Sequence, residues 1–397
     1  MEISNRLKSI PPYVFAEIDK KRAAVAARGV DVINLGIGDP DQPTPPHIVD
    51  AMKKALDNPA NHKYPPFGGT PQYKAAAAEW MEKRFGSGAK FDPANEVTSL
   101  IGSKEGIHNI IMAYVDPGDI ALIPDPAYPV YRTSTILAGG TPHFMPMTPD
   151  NNFLPELEKI PADVAAKAKI MFLNYPNNPT SAIADLAYLE RAVQFAKKNG
   201  LLLVHDLAYS EMTFDGYKAP SIFEVPGARD VAIELHSLSK MHNMTGWRVG
   251  FAAGNQQPVK ALAQLKSNID TDVFRAIQAA AVAALQGPRD HIDACNKLYV
   301  ERRDIAVAAF RKLGWKLDPI KATFYMWLPV PKGMTSAEFS TLMLEEAGIV
   351  VPPGNAYGPT GEGFFRLSLC TDKKRLQEAF DRMEKHAITF DRAAAKV

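Results

Sequence analysis

Short apolar runs rich in Val, Ile, Leu and Phe alternate along much of the chain with stretches of helical periodicity. Runs that are apolar throughout, rather than at every second position, are typical of parallel strands covered by helices on both faces. The pattern predicts an α/β fold with a mostly parallel seven-stranded sheet. The predicted strands are residues 97–101, 120–124, 143–147, 169–173, 201–205, 232–237 and 249–253.

After Asn255 the pattern changes to two long helical stretches, residues 258–285 and 289–313, and the second is long enough to bridge two domains. A further alternation follows, with predicted strands at 323–330, 349–352 and 364–369 and a helix at 336–347. This pattern is typical of a smaller α+β domain. The first 45 residues precede the sheet and lack strand-like runs, so we expect them to complete it. We predict a large domain at 46–288 and a small domain formed by 1–45 and 289–397.

Composition narrows the class of protein. The 397 residues exceed the commonest single-domain size, which agrees with two domains. Lys and Arg number 45 against 44 Asp and Glu, so no global charge attracts nucleic acid or an anionic membrane. The two cysteines, Cys295 and Cys370, suit a reducing cytosol, and the nine histidines show no zinc-binding spacing. Charged residues near the N-terminus and the lack of a long uncharged apolar run predict a cytoplasmic protein without a signal peptide or membrane span.

The segment LHSLSKMHNMTGWRVGFAAGN, residues 235–255, follows a predicted strand and carries Ser237, Ser239, Lys240 and Arg248. Hydroxyls and a guanidinium suit a phosphate group. A lysine in this position can form a Schiff base with a carbonyl if burial or nearby cations lower its pKa. A surface loop with an ordinary solvated lysine would contain the same residue types, so this segment alone leaves both interpretations open.

Other segments supply the groups that one cofactor, pyridoxal phosphate, needs for its ring to act as an electron sink. Asp206 ends the apolar run LLLVHD, where an unpaired carboxylate is costly. A protonated ring nitrogen would pair with it, although an aspartate after a strand can also cap the next helix. Asn178, in NYPNNPTSA, and Tyr209 could both contact the ring oxygen, but Asn-Asn-Pro is also a turn sequence.

Two more segments offer anion-binding groups. In SLIGSKEGIHN a strand, Gly102 and a helix follow one another, so the free amides of Ser103 and Lys104 predict an anion site. Arg366 lies in the apolar segment FFRLSLC, where it could bind a substrate carboxylate or form a structural salt bridge. Gly36-Ile37-Gly38 lacks the third glycine of a dinucleotide fingerprint, which argues against a nicotinamide cofactor.

These motifs together resemble the class I/II aminotransferases of fold type I, which depend on pyridoxal phosphate. The resemblance covers nearly the whole chain. It includes, in the order and spacing of the family, GIGDPDQPTP, YPPFGGTPQYKAA, DPAYPVY, NYPNNPT, D-x-x-Y, SLSK with GWRVG, and the late arginine. It implies a homodimer with shared active sites, amino acid and 2-oxo acid substrates, and no metal. Met241-His242 departs from the Thr-Tyr expected after the lysine.

The resemblance also implies residue roles. Lys240 would form the Schiff base and shuttle a proton, with Asp206 on the ring nitrogen and Asn178 and Tyr209 on the ring oxygen. Tyr128 would stack on the ring. The phosphate would be bound by the amides of Ser103 and Lys104, by Ser237, Ser239 and Arg248, and by Tyr64 of a neighbouring subunit. The substrate would contact Gly38, Tyr13, Lys104, Tyr128, Asn178 and Arg366.

Within the family, GSKEGI, NMTGWRVGFAAGN and VPPGNAYG are most similar to the LL-diaminopimelate aminotransferases of lysine biosynthesis. That similarity implies exchange of an amino group between LL-2,6-diaminopimelate and 2-oxoglutarate by ping-pong kinetics. Aspartate, alanine and aromatic aminotransferases share the cofactor residues and stay open as alternatives. A carbon–sulfur lyase with the same cofactor is a further alternative. A nucleic-acid-binding regulator is disfavoured by the near-zero net charge and the lack of a basic helix-turn-helix segment.

Overall fold

The computed structural model describes residues 1–10 and 14–392. Its strands are β1 Ile33–Asn34, β2 Val97–Leu100, β3 Ile120–Asp125, β4 Thr141–Pro146, β5 Ala168–Leu173, β6 Leu202–Asp206, β7 Ala232–Ser237, β8 Gly250–Gly254, β9 Tyr325–Pro329, β10 Ile349–Val350 and β11 Phe364–Ser368. Its α-helices are α1 Asn5–Lys8, α2 Val14–Ala26, α3 Pro46–Leu56, α4 Pro71–Phe85, α5 Ser103–Tyr114, α6 Val130–Ala138, α7 Ala162–Lys167, α8 Leu186–Asn199, α9 Leu238–Met241, α10 Gln256–Ser267, α11 Arg275–Gln286, α12 Asp290–Lys312, α13 Ser336–Ala347 and α14 Lys373–Lys385. None of the helices in this part of the chain is both long enough and apolar enough to cross a membrane.

The central sheet has seven strands in the order β2-β8-β7-β6-β5-β3-β4. The pairs from β7 through β6, β5 and β3 to β4 are parallel, whereas β8 runs antiparallel to both β7 and β2. The predicted seven-stranded, mostly parallel α/β sheet is therefore confirmed. Each predicted strand lies within about two residues of its observed bounds.

Both faces of the sheet are covered by helices. Along β5, Ile170 and Phe172 pack in one apolar layer, whereas Met171 and Leu173 pack in the layer on the opposite face. Ile107 of α5 belongs to the first layer, and Tyr73 of α4 belongs to the second. Two-sided burial explains why residues 170–173 of β5 and 202–204 of β6 are all apolar.

The single helical stretch predicted at 258–285 is wrong. The structure divides it into α10 and α11, because residues 268–274 form a turn in which Asp272 has φ of +73°. Asp270 accepts a hydrogen bond from Lys266 Nζ at 2.8 Å, and its Oδ1 accepts another from the Asp272 amide at 2.7 Å. Aspartate and asparagine side chains compete in this way with helical backbone bonds. The second predicted stretch is observed as α12.

The expectation that the first 45 residues lack a strand is also wrong. Ile33–Asn34 pairs in parallel with Ile349–Val350, and Ile33 is buried with residues of the C-terminal part of the chain. This pairing supports assigning the N-terminal segment to the small domain. The division into 46–288 and the remainder of the chain stays a prediction. In the C-terminal part, β9 and β11 pair antiparallel with Arg366 opposite Trp327.

A buried carboxylate joins the two central strands β6 and β7. Glu234 is fully buried and accepts hydrogen bonds from His205 Nδ1 at 2.8 Å and His236 Nε2 at 2.9 Å. Ser221 Oγ and the Ile222 amide donate to the same carboxylate. Burial alone would raise the pKa of Glu234, but the bonds from the two histidines outweigh it and lower the pKa to about 2. Glu234 is therefore ionised inside the fold.

Glu234→Ala should reduce the free energy of unfolding by about 3 kcal/mol, because it leaves buried donors of both histidines without their acceptor. The measurement is the midpoint of urea unfolding followed by circular dichroism. Glu190→Ala, which changes an exposed glutamate of α8, is the control and should stay within about 0.5 kcal/mol of wild type. An unchanged midpoint for Glu234→Ala would contradict this account of the sheet.

Candidate active site

The carboxyl ends of β5, β6 and β7 open into a cavity of about 380 Å³. Ligands of open α/β sheets bind at this edge, because side chains that follow the buried strands project there. The cavity is lined by Gly36, Ile37, Gly38, Ser103, Lys104, Tyr128, Asn174, Asn178, Asp206, Ala208, Tyr209, Ser237, Ser239, Lys240, Thr245, Arg248, Tyr325 and Arg366. It therefore contains every predicted site residue in the described part of the chain except Tyr64.

Lys240 lies on α9, the short helix that follows β7 directly. Ser237 caps this helix, because its Oγ accepts a hydrogen bond from the Ser239 amide at 3.2 Å. Lys240 Nζ donates to the Gly38 carbonyl at 2.5 Å. Burial lowers the pKa of Lys240 to about 8, even though the charges of Cys370 and Asp39 act in the opposite direction. The lowered pKa increases the fraction of this lysine that is a neutral, nucleophilic amine near neutral pH.

Asp206 ends β6 and is only 5% exposed. Its Oδ2 accepts a hydrogen bond from the Tyr131 hydroxyl at 2.7 Å. Its Oδ1 is buried and has no hydrogen-bond partner among the described residues. Burial raises the pKa of Asp206 to about 6, although the Tyr131 hydroxyl and the nearby histidines act to lower it. No helix begins at residue 207, so the alternative that Asp206 caps a helix is wrong.

An asparagine that the motifs did not single out joins two of the strand ends. Asn174 Nδ2 donates to the Asp206 carbonyl at 2.7 Å, and its Oδ1 accepts from the Asn178 amide at 2.9 Å. Asn178 in turn accepts from Arg366 Nη1 through Oδ1 at 2.8 Å, so its own Nδ2 is the group left to donate. On the other side of Asp206, the Tyr209 hydroxyl lies 3.1 Å from that of Tyr325.

Arg366 is 3% exposed and reaches the cavity from β11. Its Nη2 donates to the Gly36 carbonyl at 2.6 Å. Its guanidinium carbon lies 4.1 Å from the ring centre of Tyr325 and 5.0 Å from that of Tyr357. The two aromatic contacts and the hydrogen bonds to Gly36 and Asn178 hold the guanidinium in place, which suits bidentate binding of a carboxylate.

The other end of the cavity collects groups suited to a phosphate. Gly102, with φ of +82°, precedes α5, and a Cβ there would lie 2.5 Å from Arg248 Nη2. Glycine thus lets the guanidinium approach the free amides of Ser103 and Lys104 in the first helical turn. Arg248 is fixed by donating to the carbonyls of Thr245 at 2.8 Å and Ile101 at 3.3 Å. Burial, followed by the charge of Arg248, lowers the pKa of Lys104.

Tyr64 is not part of this cavity. Its side chain is 79% exposed, and its carbonyl accepts hydrogen bonds from Arg275 Nε at 3.0 Å and Nη2 at 2.6 Å. Within one chain it therefore contacts none of the predicted site residues. Tyr13, predicted to contact substrate, lies outside the described residues.

Met241 and His242, where the sequence departs from the expected Thr-Tyr, do not line the cavity. Met241 packs in the apolar layer beneath the sheet. His242 is buried on the far side of α9, where its Nδ1 is 2.8 Å from His291 Nε2, and burial lowers its pKa to about 3. The Met241-His242 sequence therefore affects the packing behind Lys240 and does not alter the residues that line the cavity.

Sequence reasoning missed two tyrosines of the site. Tyr131 lies one helical turn after Tyr128, so the DPAYPVY motif contained a usable signal. Tyr325 gave no such signal, because it lies on β9, far along the chain. Its importance follows from contact: a Cβ on Gly38 would lie 1.9 Å from the Tyr325 hydroxyl oxygen, so only glycine fits opposite it.

The cavity thus combines a partly neutral lysine, a buried carboxylate with one open oxygen, an anion-binding end and a stacked arginine. Among the residues with described structure, no three His, Cys, Asp or Glu side chains are grouped to hold a metal ion. The arrangement suits covalent chemistry on a carbonyl group attached to a phosphorylated aromatic ring, next to a carboxylate-bearing substrate.

The chain is similar to a known protein family, to individual proteins of that family and to solved structures. Residues 30–383 match the family model described as aminotransferase class I and II. The LL-diaminopimelate aminotransferase of Gloeobacter violaceus is 56% identical over 392 residues, which cover 98% of this chain and 100% of that protein. LL-diaminopimelate aminotransferase 2 of Trichormus variabilis is 54% identical over 390 residues, with 98% and 100% covered. Among solved structures, apo-BacF of Bacillus subtilis superposes with a TM-score of 0.94 at 39% identity, covering 98% of this chain and 100% of that chain.

Proposed function

This chain belongs to the class I and II aminotransferases, and we propose that it binds pyridoxal 5'-phosphate and transfers an amino group from LL-2,6-diaminopimelate to 2-oxoglutarate. The products of this direction are glutamate and an amino-oxo acid, which cyclises to tetrahydrodipicolinate with loss of water. The observation that carries the proposal is the pairing, in one cavity, of a lysine whose pKa is about 8 with a buried aspartate whose Oδ1 lacks a partner in the described structure. The two-cysteine composition supports a cytoplasmic location, which stays a prediction.

The residues fit the cofactor. Asp206 Oδ1 is a buried acceptor for which a protonated ring nitrogen would be the donor. Lys240 would hold the aldehyde carbon through Nζ, and Asn178 Nδ2 and the Tyr209 hydroxyl would donate to the ring oxygen. Tyr128 would cover the ring. The phosphate would be bound by the amides of Ser103 and Lys104 and by Ser237, Ser239 and Arg248. When bound, pyridoxal phosphate supplies an electron sink that weakens the bond between the substrate Cα and its hydrogen.

The chain's own residues would perform the proton transfers. Lys240 Nζ, once released by the incoming amino group, would be a neutral amine. It could then take the proton from the substrate Cα and return it to the cofactor carbon that carried the aldehyde. Burial favours this role because it lowers the pKa of the lysine towards neutrality. Asp206, as a carboxylate, would keep the ring nitrogen protonated. Arg366 and Gly38 would orient the substrate carboxylate, and alternation of two amino acid and oxo acid pairs gives ping-pong kinetics.

The relatives support the choice of amino donor, because two proteins named LL-diaminopimelate aminotransferase are 54% and 56% identical to nearly the whole chain. In the structure, Lys104, Tyr128 and Asn178 line the same cavity as Arg366, which supports assigning them to the rest of the substrate. Tyr13 is proposed as a further substrate contact on the resemblance alone.

We further propose a homodimer in which Tyr64 reaches the phosphate site of the neighbouring subunit. Tyr64 and Phe67 lie on one loop and are 79% and 64% exposed. Arg275 holds this loop by donating hydrogen bonds to the Tyr64 carbonyl. Exposed aromatic side chains on a rigid loop are typical of protein–protein interfaces. A Tyr64 hydroxyl that binds a phosphate across the interface would explain why a rigid loop presents this side chain to solvent in a single chain.

Lys240→Ala should abolish turnover and covalent attachment of the cofactor. Lys104 is the other described lysine that lines the cavity, and it lies at the anion-binding end, where we expect it not to replace Lys240. The measurement is the amino-transfer rate together with the mass of the protein after borohydride reduction. Lys260→Ala, which changes an exposed lysine of α10, should behave like wild type. Retained turnover in Lys240→Ala would contradict the assignment of this cavity as the active site.

The amino donor can be identified by single-turnover spectroscopy of the purified enzyme. LL-diaminopimelate, aspartate, alanine and an aromatic amino acid are added separately, and the cofactor absorbance is followed without an oxo acid. Fast conversion by LL-diaminopimelate alone is the expected result. Conversion by another donor would keep the aminotransferase and reject the substrate. Release of a thiol, ammonia and pyruvate from a separately added thioether amino acid such as cystathionine, without an oxo acid, would indicate a carbon–sulfur lyase.

Tyr64→Phe should weaken cofactor binding about ten-fold while leaving the protein dimeric, because it removes one hydrogen bond to a charged group and keeps the ring. The measurements are cofactor dissociation by fluorescence and mass by sedimentation equilibrium. Tyr217→Phe, at a tyrosine outside the cavity, is the control. A monomer with full cofactor affinity would show that Tyr64 has no role across an interface.

A further inference from the structure

A buried aspartate outside the cavity lies at the end of β3, three residues before Tyr128. Asp125 is 2% exposed. Its Oδ2 accepts a hydrogen bond from the Thr360 amide at 3.0 Å and another from the Thr360 hydroxyl. Thr360 belongs to the segment that precedes β11, the strand carrying Arg366. One carboxylate thus joins the central sheet to the segment that leads to the other end of the substrate site.

The contact between the two segments is close over several residues. The Ala127 amide donates to the Tyr357 carbonyl at 2.8 Å. Gly358, with φ of +137°, lies so near Asp125 that a Cβ there would be 1.8 Å from Asp125 Oδ1. The turn that begins at Asp125 and presents Tyr128 is therefore pressed against the backbone of residues 357–360.

Residues 354–361, called here the carboxylate-bound loop, form a compact unit. A Cβ on Gly354 would lie 1.9 Å from the Gly361 carbonyl oxygen, so the two ends of the loop touch. Just beyond it, Glu362 accepts from the Ser336 amide at 2.7 Å and the Ser336 hydroxyl at 2.8 Å, which ties the loop to α13. Because the loop is closed on itself and attached to α13 at one end, we expect it to move as one rigid unit.

The loop also supports Arg366. Tyr357 is buried, and its ring centre lies 5.0 Å from the Arg366 guanidinium carbon. Trp327, opposite Arg366 on β9, packs edge-on against the Tyr357 ring at 5.7 Å. The route from Asp125 to Arg366 thus runs through one hydrogen-bonded residue and one aromatic contact, and the route from Asp125 to Tyr128 runs along the chain.

We propose that Asp125 and Thr360 are positioning residues that fix Tyr128 and Arg366 relative to each other, so that the substrate carboxylate is bound in register with the ring that Tyr128 covers. The inference rests on the proposed function, because that proposal assigns the roles of Tyr128 and Arg366. The residues assigned to the cofactor phosphate belong to other segments, 103–104 and 237–248, so we expect the phosphate contacts, and with them most of the cofactor affinity, to persist when the link is broken.

The test compares Thr360→Val, which has the same shape without the hydroxyl, with Thr360→Ser, which keeps it, in the cofactor-loaded enzyme. Succinate, a dicarboxylate that cannot accept an amino group, is the binding probe. In Thr360→Val, the dissociation constant of succinate and the KM for 2-oxoglutarate should both rise about ten-fold, the effect of one hydrogen bond to a charged group. The kcat value and cofactor affinity should stay within about two-fold of wild type, and Thr360→Ser should resemble wild type throughout.

Thr360→Ala is the second variant, because it removes the hydroxyl without adding a methyl group beside the carboxylate, and it should match Thr360→Val. Wild-type succinate affinity in either variant would overturn the inference. An equal loss in Thr360→Ser, or a parallel loss of cofactor affinity, would also overturn it by showing a merely structural role. Failure of the wild-type enzyme to react with any amino acid would instead refute the proposed function, and the succinate measurement distinguishes the two failures.

Discussion

The burial of the Asp206 carboxylate at the end of β6 is the constraint around which the site is arranged. The side chain is only 5% exposed, so the carboxylate needs partners that replace most of its hydration. Tyr131 supplies one hydrogen bond at 2.7 Å, and the second oxygen faces the cavity without a described partner. The raised pKa of about 6 measures the cost of this burial. A cationic ring nitrogen would lower that cost, which is why the site favours a protonated aromatic ring.

Burial also shifts the pKa of Lys240, but in the opposite direction from that of Asp206. Burial disfavours the ammonium form and lowers the lysine pKa to about 8, just as it disfavours the ionised form of Asp206. Burial therefore brings the pKa values of two groups of opposite charge type towards neutral pH from opposite sides. For the lysine this releases a nucleophile and a base. For the aspartate it leaves a carboxylate that binds a cationic partner more strongly than an exposed one would.

The site also depends on contacts between distant parts of the chain. Arg366 of β11 donates to Asn178 in the loop after β5 and to the carbonyl of Gly36 in the N-terminal segment. Lys240 donates to the neighbouring Gly38 carbonyl. The N-terminal segment thus contacts both the predicted carboxylate anchor and the predicted catalytic lysine, and its backbone, rather than its side chains, makes these contacts. Glycine is needed at position 38 for a separate, steric reason, because a Cβ there would lie 1.9 Å from the Tyr325 hydroxyl oxygen.

The seven sheet strands can be predicted from the chain alone, because two-sided burial requires apolar runs that are visible locally. The meeting of Asn178, Asp206, Ser237 and Lys240 is predictable too, because the carboxyl ends of parallel strands share one edge of the sheet. Four features became visible only in the folded chain: the pairing of Ile33–Asn34 with Ile349–Val350, the break between α10 and α11, the partnership of Tyr131 with Asp206 and the place of Tyr325 opposite Gly38. The pairing and the two side-chain contacts join residues far apart in the chain, and the break depends on side-chain bonds within a turn. Local periodicity does not encode such contacts, because they depend on how whole elements pack.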